Sequence, residues 1–271
     1  MIPATPPGPS LPAAEAELRL RWLRAQPLLQ LAFVIIPGFA AALVLTLMIF
    51  GLTVSAHGLV PLLFLCGGPL LILGASLTRK PEWWLNPGAW ARRAVGITAL
   101  VCFALLPATG YWSPIQRWVW PLVATLCLLL PTLAGLLAGR ARRAFGTPPS
   151  PDLGETGFVL HFDLDGMSGR IWLELTELRW HLAGTGVQVS LPLQQIQQVS
   201  VADPNHETRS VRGALSRPDG SDGADLPPVP LLAVTSRQGL VLFPVNHPEV
   251  VAETLRRRMS ARVQLTHTPG T

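Results

Sequence analysis

Charge is scarce in this chain. Only 14% of its 271 residues are Asp, Glu, Lys or Arg, against about 25% in an ordinary water-soluble domain. Between Ala25 and Thr78 there is none at all. This argues against a single soluble globule. Lysine is reduced to Lys80 among 21 basic side chains. Cysteine is reduced to Cys66, Cys102 and Cys127. Each lies in an apolar run, without metal-ligand spacing or the even count of an extracellular disulfide framework, and reads as a small buried side chain. No Gly-rich phosphate loop, His-Glu-x-x-His or nucleophile elbow is present. Asp203, His206 and Glu207 open a polar stretch and do not make a convincing metal set. No catalytic residue, cofactor or metal ligand is therefore assigned, and the chain reads as a non-enzyme.

What charge there is divides unevenly. Residues 1–149 hold 11 basic and 3 acidic side chains, whereas 150–271 hold 10 basic and 13 acidic. The basic residues of the first half sit in short groups at the edges of apolar runs. That is the pattern of membrane flanks, not of a nucleic-acid surface, where cations gather on one polar face.

A spanning helix needs about 20 mainly apolar residues. The apolar runs allow four, near 28–52, 59–78, 93–110 and 118–139, joined by Ser55-Ala56-His57-Gly58 and Tyr111-Trp112-Ser113-Pro114 as two hairpins. Arg19, Arg21, Arg24, Arg79, Lys80, Arg92, Arg93, Arg140, Arg142 and Arg143 all fall on one side of that arrangement, and Arg117 alone on the other. The positive side is cytoplasmic, so both termini are expected inside a bacterial inner membrane. Residues 1–27 read as a cytoplasmic tail, unstructured to residue 14, with a short interfacial helix over Leu18–Gln26 and no cleavable signal. Trp22, Trp83, Trp84, Trp90, Trp112, Trp118 and Trp120 flank the spans and read as interface anchors. The loop from Lys80 to Pro87 is expected along the inner surface. Gly135 and Gly139 form a small-xxx-small pair for helix packing, within the chain or in a homo-oligomer. Gly67-Gly68-Pro69 and the prolines of the spans motivate an alternative in which the helices belong to a transporter or channel subunit.

The second half changes character after a linker over 140–154 containing Thr147-Pro148-Pro149-Ser150-Pro151. Apolar residues then alternate with polar ones at period 2, the mark of half-buried strands. Phe158, Leu160, Phe162 and Leu164 make one strand, and Ile171, Leu173 and Leu175 another. Leu178, Trp180 and Leu182 follow, then Val187, Val189 and Leu191. Three more strands fall near 196–202, 230–236 and 239–245. Between the fifth and sixth lies a polar insert, 203–229, expected to be disordered. A helix closes the half, with Asn246 as the N-cap, Pro248 in the first turn and Glu249 completing a capping box. Val251, Leu255 and Met259 form its apolar stripe. Arg256-Arg257-Arg258 reads as a solvated face, with anionic lipid as the alternative.

Seven antiparallel strands and a C-terminal helix resemble the pleckstrin-homology-like (PH-like) domains of small bacterial membrane proteins, over about 155–265, leaving 266–271 as a tail. The residues that carry the resemblance are Leu175-Thr176 before Leu178 and Trp180, and Leu191-Pro192-Leu193 before Ile196 and Val199. Leu232 to Val234, Gly239, Val245 and the helix begun at Pro248 complete it. The resemblance implies a barrel closed by one helix, acting as a binding module. Lipid-binding members carry basic residues in the first hairpin. Here that hairpin contains Asp163, Asp165 and one arginine, Arg170, which points toward a protein or peptide partner. The chain is thus expected to be a membrane-anchored scaffold or regulator whose partners are the lipid bilayer and a protein or peptide.

Overall fold

A computed structural model of the chain describes residues 2–54, 81–105, 116–165, 169–182, 188–202, 230–237 and 239–267. They fall into two compact units. The helical unit holds residues 1–6, 20–84 and 88–145, and the β unit holds 7–19, 85–87 and 146–271.

The helical unit is built on α1 (Pro12–Gln30), α2 (Ile36–Val54), α3 (Trp90–Phe103) and α4 (Gln116–Gly146). A π-helical turn over Leu31–Ile35 joins α1 to α2, and its last bond runs from the Ile36 N–H to the Leu31 carbonyl. The cause lies one residue further on. Pro37 has no N–H, and in a regular helix its ring presses on the carbonyl four residues back. One wide turn opens the ladder and lets the helix continue.

Two stretches, Pro12–Leu47 and Trp120–Gly146, are long and apolar enough to cross a membrane. They contain most of the first expected span, 28–52, and nearly all of the fourth, 118–139. The second expected span, 59–78, lies outside the described residues, and the third is described only as far as residue 105.

Small and aromatic residues line the inside of this unit. Trp22, Ala25, Leu29, Ala32, Phe33, Ile36, Ala40 and Val44 form one buried stripe along α1 and α2. Ala134, Ala138, Ala141 and Phe145 form another on α4. Many large aliphatic side chains of the unit point outward. Leu128 is 74% exposed, Ile49 65% and Leu136 61%.

In the β unit, strands β1 (Leu160–Asp163), β2 (Gly169–Leu173), β3 (Glu177–Leu182) and β4 (Gln188–Pro192) form an antiparallel meander. β5 (Ile196–Ala202), β6 (Leu231–Ser236) and β7 (Gly239–Pro244) form a second one. The expected closed barrel is not what is found. Two sheets meet at one corner, through the Leu164–Val245 bridge and the Asp165 N–H on the Pro244 carbonyl at 2.8 Å. The period-2 reading holds for Ile171, Leu173, Leu178, Trp180 and Leu191, which are buried beside half-buried or exposed neighbours, whereas Phe162, Leu175 and Val189 are only half-buried. Trp180 meets Phe243 edge to face at 5.2 Å, so the two sheets share a core. Leu231, Ala233 and Leu242 form a second cluster on the other face of β6 and β7.

The N-terminal segment is not a free tail. Ser10 bridges Thr156, the Leu11 N–H reaches the Glu155 carbonyl at 3.0 Å, and the Gly157 N–H reaches the Pro9 carbonyl at 2.7 Å. The loop at Leu85–Pro87 belongs to the same unit. Its Leu85 carbonyl accepts from the Val159 N–H at 2.8 Å, and Asn86 Oδ1 lies 3.0 Å from His161 Nε2.

The last helix, α5, spans Pro248–His267. Its N-cap is His247, not Asn246, since the His247 carbonyl takes the first helical bond from the Val251 N–H at 3.1 Å. His247 has φ 57°, in the left-handed region. An ordinary residue there costs roughly 1–2 kcal/mol, and a β-branched one more. His247→Gly is therefore expected to leave the apparent melting temperature of the purified chain unchanged or raised. His247→Val is expected to lower it and to speed hydrogen exchange in the first turn of α5.

Candidate functional site

α5 carries Arg256, Arg257 and Arg258 near its middle, and successive helical residues point about 100° apart. The triplet is therefore three separate contacts, not a solvated face. Arg258 is fully buried. Its Nε donates to the Gly154 carbonyl at 2.7 Å, and its Nη2 to those of Leu153 and Phe158 at 3.2 and 2.9 Å. Burial presses its pKa down to about 9, which leaves it charged at neutral pH. Arg257 sits between Asp152, Glu155 and Glu253, and its hydrogen bond to Glu253 raises its pKa above the usual arginine value. Arg256 shares Glu253 through Nη1 at 2.8 Å, and its Nε donates to the Val199 carbonyl of β5 at 3.2 Å. The two arginines hold the Glu253 carboxyl below the usual carboxylate range.

Beside that last contact a groove of about 460 Å³ opens between β5 and α5. Gln197, Gln198 and Val199 line one wall and Arg256, Met259 and Ser260 the other. Among the described residues β5 is the outer strand of its sheet and pairs only with β6. Its register slips between Ile196 and Gln198, so Gln197 has no opposite residue on β6. Gln197 and Gln198 are exposed. The Ser260 hydroxyl donates back to the Arg256 carbonyl at 3.1 Å. The groove thus offers neutral amide donors and acceptors, one guanidinium, a thioether and an unpaired strand edge.

The sequence offered one faint signal for this wall, glutamines at 194, 195, 197 and 198 interrupting the alternation of a strand. Neither Met259 nor Ser260 stands out in one dimension. Met259 was placed in the apolar stripe of α5, yet it is only half-buried, and Arg258 takes the buried position beside Leu255.

The expected interface tryptophans divide. Trp22, Trp84 and Trp90 are packed inside the protein. Trp22 Nε1 donates to the Pro3 carbonyl at 3.1 Å, and Trp90 Nε1 to that of Trp84 at 3.1 Å. Trp22 meets Trp90 at 6.1 Å, and Trp90 meets Phe145 at 5.7 Å. Trp83 is half-buried between Phe33 and the Arg93 guanidinium, which lies 4.7 Å from its ring centroid. Trp120 is 39% exposed on α4. Trp112 and the side chain of Trp118 lie outside the described residues.

The arginines divide as well. Arg21 is buried and donates to the Phe145 carbonyl at 2.9 Å, capping the C-terminal end of α4, where positive charge suits the helix dipole. Arg93 donates to the Trp83 carbonyl. Arg19 pairs with Glu15 at 2.6 Å. Arg24, Arg92, Arg140 and Arg143 are exposed and Arg142 is half-buried. Arg79 and Lys80 lie outside the described residues, as do Gly67-Gly68-Pro69, Cys66 and the insert 203–229 with Asp203, His206 and Glu207.

A Cβ on Gly135 would stand 2.6 Å from Val95 Cγ2, so this glycine admits α3 against α4, whereas nothing lies within 4 Å of such an atom on Gly139. Cys127 donates to the Cys102 carbonyl at 3.4 Å across the same pair of helices. Among the described residues no three His, Cys, Asp or Glu side chains gather as a metal site. Comparison with protein-family models, with curated proteins and with solved structures finds no match to this chain.

The Arg258 contacts yield a test. Arg258→Met takes a donor from three buried carbonyls, of which that of Leu153 keeps its bonds from Thr156. An unsatisfied buried group costs about 1–3 kcal/mol, so a loss of about 2 kcal/mol or more in stability to chemical denaturation is expected. Gly154→Ala attacks the same junction, since its Cβ would meet the Thr254 carbonyl at 2.3 Å. It should also destabilise the chain, without any change of charge.

Proposed function

We propose that the chain is a four-span protein of the bacterial cytoplasmic membrane, with both termini inside. Its PH-like domain receives an extended segment of a partner protein along β5. The protein is a scaffold or regulator and catalyses nothing. The observation that carries this reading is the open edge of β5 beside the groove it shares with α5. Addition of a strand to a free edge draws its affinity from main-chain hydrogen bonds, and its selectivity from the adjoining side-chain pockets.

The membrane part rests on which side chains face outward. Every large apolar side chain exposed among the described residues, from Leu20 to Leu136, belongs to the helical unit. Contiguous apolar surface on this scale needs a cover, and hydrocarbon is the cover that suits helices this long. The PH-like part rests on element order, two antiparallel meanders followed by one helix. A protein partner is favoured over a lipid headgroup because Arg170, the arginine of the first hairpin, is already paired with Asp163 at 2.9 Å.

Reporter fusions after His57 and Ser113 are expected to report the outer side, and a fusion at the C-terminus the inner side. A second test places a photocrosslinking residue at Gln198 or Ser260 in native membranes, with Gln188 on β4 as control. A discrete protein adduct is expected at the first two positions only. Gln197→Pro, at the residue with no opposite partner on β6, should abolish the adduct. Equal labelling at all three positions would sink the β5 reading.

A further inference from the structure

Among the described residues of the helical unit four arginines are exposed; Arg143 has a partner, and three remain without a role once Arg21 is assigned to the end of α4 and Arg93 to Trp83. They are Arg24 on α1, Arg92 on α3 and Arg140 on α4, and among the described residues none of them forms an ion pair. They lie close in height. The contacts of Trp22 with Trp90 and of Trp90 with Phe145 define one aromatic layer across the three helices. At 1.5 Å per residue, Arg24 and Arg92 stand roughly 3 Å from that layer and Arg140 roughly 8 Å, all toward the apolar side.

Each of the three shares its helix face with exposed apolar side chains. Arg24 follows Leu20 by one turn and precedes Leu31 by two, with Leu20 54% and Leu31 40% exposed. Arg92 precedes Val95, 39% exposed, and Arg140 follows Leu136, 61% exposed. Residues three or four apart are neighbours on a helix surface. Each face therefore runs from apolar side chains to a guanidinium within one or two turns. Glu82 is the sole acidic residue between 20 and 145. The collar can hold a phosphate, and it offers almost nothing to a choline or ethanolamine cation.

We propose that Arg24, Arg92 and Arg140 bind the phosphate groups of anionic phospholipids, whose acyl chains lie on the exposed leucines and valine beside them. The inference rests on the membrane reading above. In it these arginines do more than orient the spans: they retain a shell of acidic lipid around the helical unit.

The full chain is to be reconstituted in vesicles of equal phosphatidylglycerol and phosphatidylcholine and transferred to mild detergent. Retained lipid is then counted by mass spectrometry. Phosphatidylglycerol is expected in clear excess. Each Arg→Gln change should cut that excess by about a factor of five, the weight of one basic residue near an anionic surface. The triple Arg→Lys variant should keep most of it, which separates loss of charge from loss of fold. Displacement of the lipid by excess inorganic phosphate would assign the site to free phosphate and overturn the proposal. So would a well-folded triple Arg→Gln variant that retains as much phosphatidylglycerol as the wild type. Release of the chain from native membranes by alkaline carbonate would instead overturn the membrane reading itself.

Discussion

The β unit depends on one buried cation. Arg258 reaches from α5 to the carbonyls of Leu153, Gly154 and Phe158, and the short segment that contains them is where separate stretches of the chain converge. Pro9 to Leu11 pair with Glu155 to Gly157, and Leu85 holds Val159 at the approach to β1. Burying a guanidinium without a carboxylate is costly unless its donors are satisfied. Here the acceptors are three backbone oxygens in and beside the turn, which engage Nε and Nη2 and leave Nη1 without a partner. The cation satisfies the turn, and the turn lowers the cost of burying the cation. Arg257 repeats the logic at the surface, tying Asp152 and Glu155 of the same turn to Glu253 of the helix.

The helical unit obeys a different constraint. An α-helix satisfies its backbone within one segment. The π turn at Leu31–Ile35 keeps that ladder nearly intact past Pro37, and it carries Phe33 into contact with Trp83 and Trp84 at 5.4 and 5.1 Å. Alanines at 134, 138 and 141 and the glycine at 135 let helices approach closely. Its buried stripes mix small, aromatic and aliphatic residues, while many further leucines and isoleucines stay exposed.

How much of this was legible in one dimension follows from the range of each interaction. Seven strands were legible in order, the second to fourth from period-2 alternation, which is a local property, whereas β6 is buried on both faces and does not alternate. The first and last apolar helices were legible from the absence of charge. The N-terminal segment was not, since its pairing with 155–157 spans about half the chain and leaves only Pro- and Ala-rich composition as a trace. Trp22, Trp84 and Trp90 were expected to flank the spans as interface anchors and are packed inside the protein. Position along the sequence does not show which way a ring faces, and neighbours such as Trp90 and Phe145 decide it. The arginine triplet failed in the same way, because adjacent residues on a helix meet three different environments. Asn246 was a good capping residue one position too early, displaced because His247 turns the chain with φ 57°.

An open strand edge is ordinarily a hazard, since any extended segment can pair with it. β5 limits that hazard while leaving the edge in place. Its register slip at Gln197 twists the strand locally. Arg256 occupies the Val199 carbonyl, and the exposed residues beside it are glutamines, not aliphatics. A segment that pairs here must displace the guanidinium from Val199 or bridge past it, and must satisfy the amides of Gln197 and Gln198. Arg256 would not be stranded by that displacement, because Glu253 still holds it through Nη1 at 2.8 Å. An indiscriminate hydrophobic strand gains little on such an edge, while a complementary polar one regains each hydrogen bond that it breaks. The features that protect β5 from aggregation are therefore the ones that would let it choose a partner.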